Sequence, residues 1–192
     1  MIFRALFLFF FTLSANVATA QNILQNSSFE DEPADATMPM GWFACQDATT
    51  PDILPGYWGV YTEASEGDTY VGLITRGNGT FESIGQRLPE RLEKDACYEF
   101  ELDLAHSDNY SGYSKPVKLR VWLGDKKCRR DQMVFESETI TNDEWDTFKI
   151  EFTSESNSKY IFLEAYYQYE NFDHKGNILI DNITPIVFCS RV

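Results

Sequence analysis

Apolar and polar residues alternate along several short segments of the chain. One segment places an apolar side chain at every second position from Tyr98 to Leu104, with acidic residues between them. A second segment alternates in the same way from Phe148 to Phe152. A period of two residues with one apolar side is typical of antiparallel strands that bury one face. The pattern therefore predicts β-sheets.

Segments with strand character recur along most of the chain and are separated by Gly, Asn, Asp, Ser and Pro, which favour turns. Residues 89–94 are the one stretch with a helical period, and they are too few for a stable helix. We therefore predict an all-β fold, a two-sheet antiparallel jelly-roll sandwich. The eight predicted strands are residues 69–75, 83–88, 97–105, 117–123, 132–140, 146–152, 160–167 and 177–186.

The strand order of a jelly roll assigns these segments to two sheets. The first, last, third and sixth strands would form one sheet, and its outward acids, among them Asp103, are interpreted as a solvated face. The second, seventh, fourth and fifth would form the other. Alternation within this second sheet places Arg120 and Trp122 outward beside Glu164 and Tyr166. Exposed aromatic side chains beside charged groups are typical of an interaction surface.

The first residues have the features of a secretory signal peptide. Arg4 supplies a positive start, an apolar run follows, and Ala18-Thr19-Ala20 form the small-residue cleavage site that ends residues 1–20. The predicted mature chain, residues 21–192, is long enough for a single jelly-roll domain with a sizeable core. We expect the protein to be exported.

Four cysteines, an even number, favour two disulfides in an exported protein. In the predicted layout Cys97 begins the third strand, next to the last strand, which ends shortly before Cys189. We therefore expect a Cys97–Cys189 disulfide, which leaves Cys45 to pair with Cys128. The layout also places Cys128 at this end of the sandwich, so a Cys97–Cys128 bond is an alternative.

The chain is strongly acidic, with 16 basic and 30 acidic side chains and a net charge of −14. Nucleic acid is therefore an improbable partner, because phosphate binding needs a basic surface. An anionic membrane surface is disfavoured for the same reason, and we expect no membrane insertion. The acidity fits cation binding, although solubility is the more general explanation.

Both ends of the mature chain carry a carboxylate beside apolar residues. The first end reads Asn-Ser-Ser-Phe-Glu and finishes at Glu30, and the second reads Ile-Asp-Asn-Ile around Asp181. A buried carboxylate needs a partner. One Ca²⁺ ion between the first and last strands would serve both groups, because calcium binds carboxylate and carbonyl oxygens. The alternative is that Glu30 and Asp181 are ordinary surface acids.

These two motifs resemble the ends of CenC-type carbohydrate-binding modules, which belong to the galactose-binding-like jelly-roll group. Gly41-Trp42, the turn and strand at 65–73, Gln86, residues 98–102 and Trp145 extend the resemblance in order. It implies a structural Ca²⁺ bound by Glu30, Asp181, the carbonyl of Ser28 and carbonyls of residues 66–69, with Asp68 among them.

The chain is also similar to jelly-roll domains of cell-envelope and gliding-associated proteins of Bacteroidota. The shared segments are residues 26–31, 50–56, 163–167 and 176–182. This resemblance implies a periplasmic, outer-membrane-associated or cell-surface location.

Sugars are bound by aromatic faces together with polar side chains that contact the hydroxyl groups. The candidate ligand-binding residues are Trp122, Tyr166, Arg120, Glu164, Gln86 and Trp58. If the sheet face does not bind, the loop aromatics around Trp58 and Tyr110 are the next candidates. We expect non-catalytic glycan binding by a protein that is monomeric in isolation. The alternative is a structural or interaction subunit of a cell-surface or outer-membrane assembly that binds an envelope protein.

An enzyme is not expected from the sequence. It contains no Gly-x-Ser-x-Gly nucleophile motif and no Cys-x-x-Cys, and His106 and His174 stand alone. Carboxylate pairs suited to glycoside hydrolysis cannot be assigned, because none lies in a motif that sets the separation of its two carboxyl groups.

Overall fold

The structure is a computed structural model and describes residues 22–169 and 174–190. The predicted signal peptide lies outside these residues. The described part forms the strands β1 Phe43–Ala44, β2 Asp52–Leu54, β3 Tyr70–Thr75, β4 Ser83–Arg87, β5 Cys97–Ala105, β6 Lys115–Pro116, β7 Lys118–Gly124, β8 Gln132–Glu136, β9 Asp146–Thr153, β10 Tyr160–Tyr166, β11 Gly176–Asp181 and β12 Val187–Phe188. No helix among the described residues has the length and apolar character needed to cross a bilayer.

The strands form two sheets. The first is five-stranded and antiparallel, in the order β1-β4-β10-β7-β8. The second is seven-stranded. In it β5 pairs with β9 on one edge and with β11 and β12 on the other, while β11 continues to β3 and β2. The short β6 lies parallel to β11. The predicted assignment of strands to sheets is therefore confirmed, and so is the jelly-roll sandwich.

The main core fills the space between the two sheets. It contains the alternating apolar side chains of β5 and β9 from one sheet and those of β7 and β10 from the other. Because side chains alternate between the two faces of a strand, one apolar residue in two is sufficient to build this layer. Its members include Phe100, Leu102, Leu119, Val121, Leu123, Ile150, Ile161 and Leu163.

A second apolar cluster lies on the opposite face of the seven-stranded sheet. It contains Leu54, Tyr70, Tyr110 and Leu179, and it is closed by the β2–β3 loop and by the loop that follows β5. Strands β3 and β11 are therefore buried on both faces along their whole length. The prediction of a solvated outer face is wrong at Asp103, which is only 4% exposed, whereas Glu101 and Glu151 on the same face are exposed.

Two disulfides join distant parts of the sandwich. Cys97 is bonded to Cys189 and Cys45 to Cys128, which are the pairs that the strand layout favours. The first bond fixes the C-terminal segment beside β5, where the Cys189 amide also donates to the Cys97 carbonyl at 3.1 Å. The second ties β1 to the loop between β7 and β8.

Candidate functional site

The outer face of the five-stranded sheet carries most of the predicted ligand-binding residues. Strand pairing places Arg120 opposite Glu164 and Trp122 opposite Phe162, and Tyr166 follows two residues after Glu164. The structure therefore brings the predicted residues together on one face. Whether they can bind a ligand depends on what covers them.

Hairpin loop 125–131, which joins β7 to β8, folds over this face. Its Arg130 places Nε 2.6 Å from Oε2 of Glu164. Its Lys127 places Nζ 4.4 Å from the ring centroid of Phe43 on β1. The Cys45–Cys128 disulfide holds the loop in this position covalently. The face is therefore a covered surface.

Glu164 and Tyr166 have partners within the protein. Glu164 is only 2% exposed, and burial raises its pKa while Arg130 and Arg120 oppose that shift. The guanidinium carbon of Arg120 lies 3.3 Å from the ring centroid of Tyr166 and covers that ring face. Trp122 is half-buried. The prediction that Glu164 is exposed to a ligand is therefore wrong, because hairpin loop 125–131 buries it.

Gln86 is also committed to contacts within the protein. Its Oε1 accepts from the Gln25 amide at 2.6 Å, and its Nε2 donates to the Gln25 carbonyl at 2.8 Å. The Gln86 side chain is buried. It satisfies the backbone N–H and C=O of Gln25, which a neighbouring strand would otherwise do. The interpretation of Gln86 as a residue that contacts sugar hydroxyls is therefore wrong.

The β2–β3 loop presents three exposed aromatic side chains, Tyr57, Trp58 and Tyr61, which are 40%, 42% and 74% exposed. Trp58 has a left-handed backbone with φ of 53°, a conformation that bulky residues rarely adopt. Its carbonyl accepts from the Ser111 amide at 2.8 Å. Gly59 must be glycine, because a Cβ there would lie 2.8 Å from the Asn109 carbonyl oxygen. These contacts hold the Trp58 backbone in one conformation.

A buried carboxylate lies beside the Trp58 side chain. Asp52 accepts the Ala36 amide at 2.7 Å and a short bond from the Tyr110 hydroxyl, and the Trp58 side chain also favours its charged form. Burial raises the pKa of Asp52 against these hydrogen bonds. The Trp58 ring packs edge-on against Tyr113 with centroids 6.5 Å apart. We call Tyr57, Trp58 and Tyr113 the aromatic end.

A surface pocket of about 460 Å³ adjoins the aromatic end. Tyr113 forms one wall, and Arg76, Gly77, Asn78 and Lys175 form the rest. Lys175 places Nζ 5.9 Å from the Tyr113 ring centroid. Aromatic rings beside a concave surface with a few polar groups are the usual composition of a small-ligand site.

The two predicted calcium-binding carboxylates meet at a single turn, residues 65–69. The Glu30 carboxylate accepts the Asp68 amide at 3.1 Å and the Thr69 amide at 3.3 Å. Asp181 Oδ2 accepts the Ser65 amide at 2.8 Å and the Glu66 amide at 3.0 Å. The structure therefore brings the two ends of the chain together as predicted, with Asp68 contacting Glu30 through its amide.

Asp181 is fully buried. Burial raises the pKa of its carboxyl to about 7 and the negative charge of Glu30 adds to that shift, whereas three backbone amides oppose it. No Lys or Arg forms an ion pair with Asp181 or Glu30 within the described part of the chain. Two neighbouring carboxylates with no cationic side chain are a donor set that fits Ca²⁺.

The backbone around this turn is unusually strained. Asn26, Phe29 and Asn182 all have φ near 50°, in the left-handed region. At Gly67 a Cβ would lie 2.2 Å from Oε1 of Glu30, so the turn can approach the carboxylate only through glycine. Strain of this kind is concentrated at functional sites. Ser28, whose carbonyl is the further predicted ligand, lies in the same strained segment, between Asn26 and Phe29.

Sequence reasoning missed a third carboxylate at this turn. Asp103 on β5 lies directly across from Asp181 on β11. Its oxygens accept from Ser65 Oγ at 2.6 Å, Thr147 Oγ1 at 2.6 Å and Asn182 Nδ2 at 3.0 Å. Burial opposes its ionisation, but these hydrogen bonds outweigh burial and lower its pKa. The available signal was the layout itself, which placed the third and last strands side by side.

Comparison with known proteins identifies a family. The model of the HpiC1-like family, described as HpiC1 cyclase, matches residues 20–164. No curated protein matches the chain.

Solved structures share the fold at low sequence identity. The CBM22-1 xylan-binding domain of Paenibacillus barcinonensis Xyn10C is 18% identical with a TM-score of 0.56, and the match covers 92% of this chain and all of that domain. The K1 cleaved adhesin domain of Lys-gingipain from Porphyromonas gingivalis W83 is 13% identical, with a TM-score of 0.54 and coverage of 85% and 96%. A family 16 carbohydrate-binding module is 15% identical, with a TM-score of 0.51 and coverage of 85% and 99%. These likenesses support the fold alone. The narrower resemblances to CenC-type modules and to Bacteroidota envelope domains stay predictions.

Proposed function

The chain belongs to the HpiC1-like family, and we propose that it binds a glycan at the aromatic end without catalysing a reaction on it. The aromatic end would stack against sugar rings, and the adjoining pocket would contact sugar hydroxyls through Asn78, Arg76 and Lys175. The sheet face around Trp122 is the weaker candidate, because hairpin loop 125–131 covers it.

One observation carries this proposal, namely the way in which Trp58 is held. The indole is 42% exposed, yet its backbone is strained and its ring packs edge-on against Tyr113 beside the buried Asp52. An exposed ring fixed before binding loses little conformational entropy when a ligand stacks on it. Burial in the core does not explain an exposed ring, so binding is the better explanation.

We further propose that a structural Ca²⁺ lies between Glu30 and Asp181, with the Ser28 carbonyl and carbonyls of the 65–69 turn as additional ligands. The ion would neutralise two carboxylates that otherwise repel each other. It would also tie the first segment of the chain to its last long strand. We place the protein outside the cytoplasm, because disulfides persist in oxidising compartments.

The glycan proposal predicts that Trp58→Ala weakens binding by about thirtyfold or more. Truncating an aromatic group at the centre of a binding site costs about 2 kcal/mol or more, which is about thirtyfold in Kd. Affinity electrophoresis against a panel of soluble polysaccharides that includes xylan would identify a ligand, and calorimetry with its oligosaccharides would give Kd. The matched control is Trp122→Ala, which should leave Kd unchanged.

Two results would contradict this assignment. One is binding that survives Trp58→Ala and is lost in Trp122→Ala. The other is the absence of any glycan ligand together with capture of an envelope protein that oligosaccharides do not displace, which would favour the interaction-subunit alternative.

Acid catalysis at the same site is a second candidate function. The family is described as a cyclase, and a protonated carboxylic acid beside aromatic rings can start a cationic cyclisation. The observation that favours it is Asp52, whose pKa burial raises. Against it, Asp52 is buried and already accepts hydrogen bonds from the Ala36 amide and the Tyr110 hydroxyl. Incubation with olefinic substrates would decide, because a catalyst should give isomeric products that Asp52→Asn does not form.

A further inference from the structure

We infer that Asp103 is a positioning residue for the calcium site, a role that rests on the proposed site and adds a residue to it. Among the described residues Asp103 forms no ion pair, and it shares the donors Ser65 and Asn182 with Asp181. Its function would be to hold the 65–69 turn in the conformation that donates backbone amides to Asp181.

The hydrogen bonds of Asp103 reach both sides of Asp181. On one side Ser65 donates its hydroxyl to Asp103 at 2.6 Å and its amide to Asp181 at 2.8 Å. On the other side Asn182 donates its side-chain amide to Asp103 at 3.0 Å and its backbone amide to Asp181 at 2.7 Å. Asp103 therefore holds two of the three residues that donate backbone amides to Asp181, and the third is Glu66.

The two neighbouring carboxylates have opposite electrostatic situations. Hydroxyl and amide side chains donate hydrogen bonds to Asp103, so its charge is accommodated by the protein itself. Asp181 is fully buried, and its hydrogen bonds among the described residues come from backbone amides. The charge that still needs a cation is therefore on Asp181. Asp103 holds Ser65 and Asn182, which donate to Asp181, in position.

Strand pairing makes this support rigid. Asp181, Asp103 and Thr147 lie opposite one another on the adjacent strands β11, β5 and β9. The Thr147 hydroxyl donates the third side-chain hydrogen bond to Asp103, with Oγ1 2.6 Å from Oδ1. Groups that orient metal ligands through hydrogen bonds typically change metal affinity about 10–100-fold when they are removed.

The test is calorimetric titration of Ca²⁺ into the metal-free full chain, with melting temperatures measured in CaCl₂ and in EGTA. Asp103→Asn should weaken the calcium Kd about tenfold and shrink the difference between the two melting temperatures. Ser65→Ala should weaken Kd in the same direction, and it will fold because Ser65 is exposed and keeps its backbone amide on Asp181. Glu101→Gln is the matched control, since Glu101 is an exposed acid on the same face of β5.

The outcomes separate this inference from the calcium proposal. If the wild-type protein binds no Ca²⁺, both are overturned. The wild-type protein could instead bind Ca²⁺ while Asp103→Asn and Ser65→Ala leave the calcium Kd unchanged. If these variants also lower the melting temperature equally in CaCl₂ and in EGTA, Asp103 is only structural and this inference alone fails. A double-mutant cycle in which the effects of the two substitutions on the calcium Kd are not additive supports the proposal that the Ser65–Asp103 hydrogen bond positions the calcium site.

Discussion

Replacement of Cys97 and Cys189 by serine is expected to lower the free energy of unfolding by about 4–5 kcal/mol. The disulfide joins residues separated by 92 positions, and a closed loop of this length removes that much conformational free energy from the unfolded chain in the loop-entropy account. The same substitution frees the short β12, whose only strand partner among the described residues is β5. Denaturant unfolding of the oxidised proteins measures the loss.

The second disulfide provides the matched control. Cys45 and Cys128 are separated by 83 positions, so loop entropy predicts nearly the same loss for their replacement. A larger loss for the Cys97–Cys189 pair would measure what docking of the C-terminal segment contributes. A loss below about 1 kcal/mol for that pair would contradict the expectation.

Removal of calcium is expected to have the next largest effect. If Ca²⁺ is present at about 100 times its Kd, binding adds about 3 kcal/mol to the free energy of unfolding. For a domain of this size that corresponds to a melting temperature about 5–10 °C lower in EGTA than in CaCl₂. Asp181→Ala should abolish this difference, because it removes the buried carboxylate that needs the cation.

Two further variants sharpen the calcium test. Gly67→Ala should also abolish the difference, since a Cβ at this position would displace the Glu30 carboxylate. Asp68→Ala should preserve it, because Asp68 contacts Glu30 through its backbone amide. Identical melting curves in CaCl₂ and in EGTA would contradict the calcium proposal.

The sheet topology could be predicted because its determinants are local. Alternation from Tyr98 to Leu104 identifies β5 and its buried face, and the same pattern identifies β7, β9 and β10. The jelly-roll order then gives the neighbours of each strand, which is sufficient to favour Cys97–Cys189 over the alternative with Cys128. The short strands β1, β2, β6 and β12 carry too few residues to show a period.

The covering of the sheets could not be predicted from alternation. A residue such as Glu164 or Asp103 faces away from the core, and the pattern alone says that it is solvated. Burial of Glu164 depends on where hairpin loop 125–131 folds, which is determined by the Cys45–Cys128 bond and by Arg130. Burial of Asp103 depends on the β2–β3 loop. Such contacts join residues far apart in sequence.

The calcium site and the aromatic end also differ in how far the sequence could predict them. Glu30 and Asp181 were identifiable because each lies in a short motif at one end of the chain. The role of Trp58 depends on Asp52 of β2 and on Tyr110 and Tyr113 of the loop after β5, two segments far apart in the sequence. Sequence reasoning could propose Trp58 as an exposed aromatic residue but had no means of ranking it above Trp122.

The most direct test of the proposed ligand site is an NMR titration that follows the indole N–H signals of the four tryptophans. Trp58→Phe and Trp122→Phe would assign the two signals that matter, and the titrant would be xylohexaose followed by oligosaccharides of any polysaccharide found in the binding screen. We predict that the Trp58 signal shifts with increasing oligosaccharide while the Trp122 signal stays in place. A shift of the Trp122 signal with Trp58 unmoved would contradict the account.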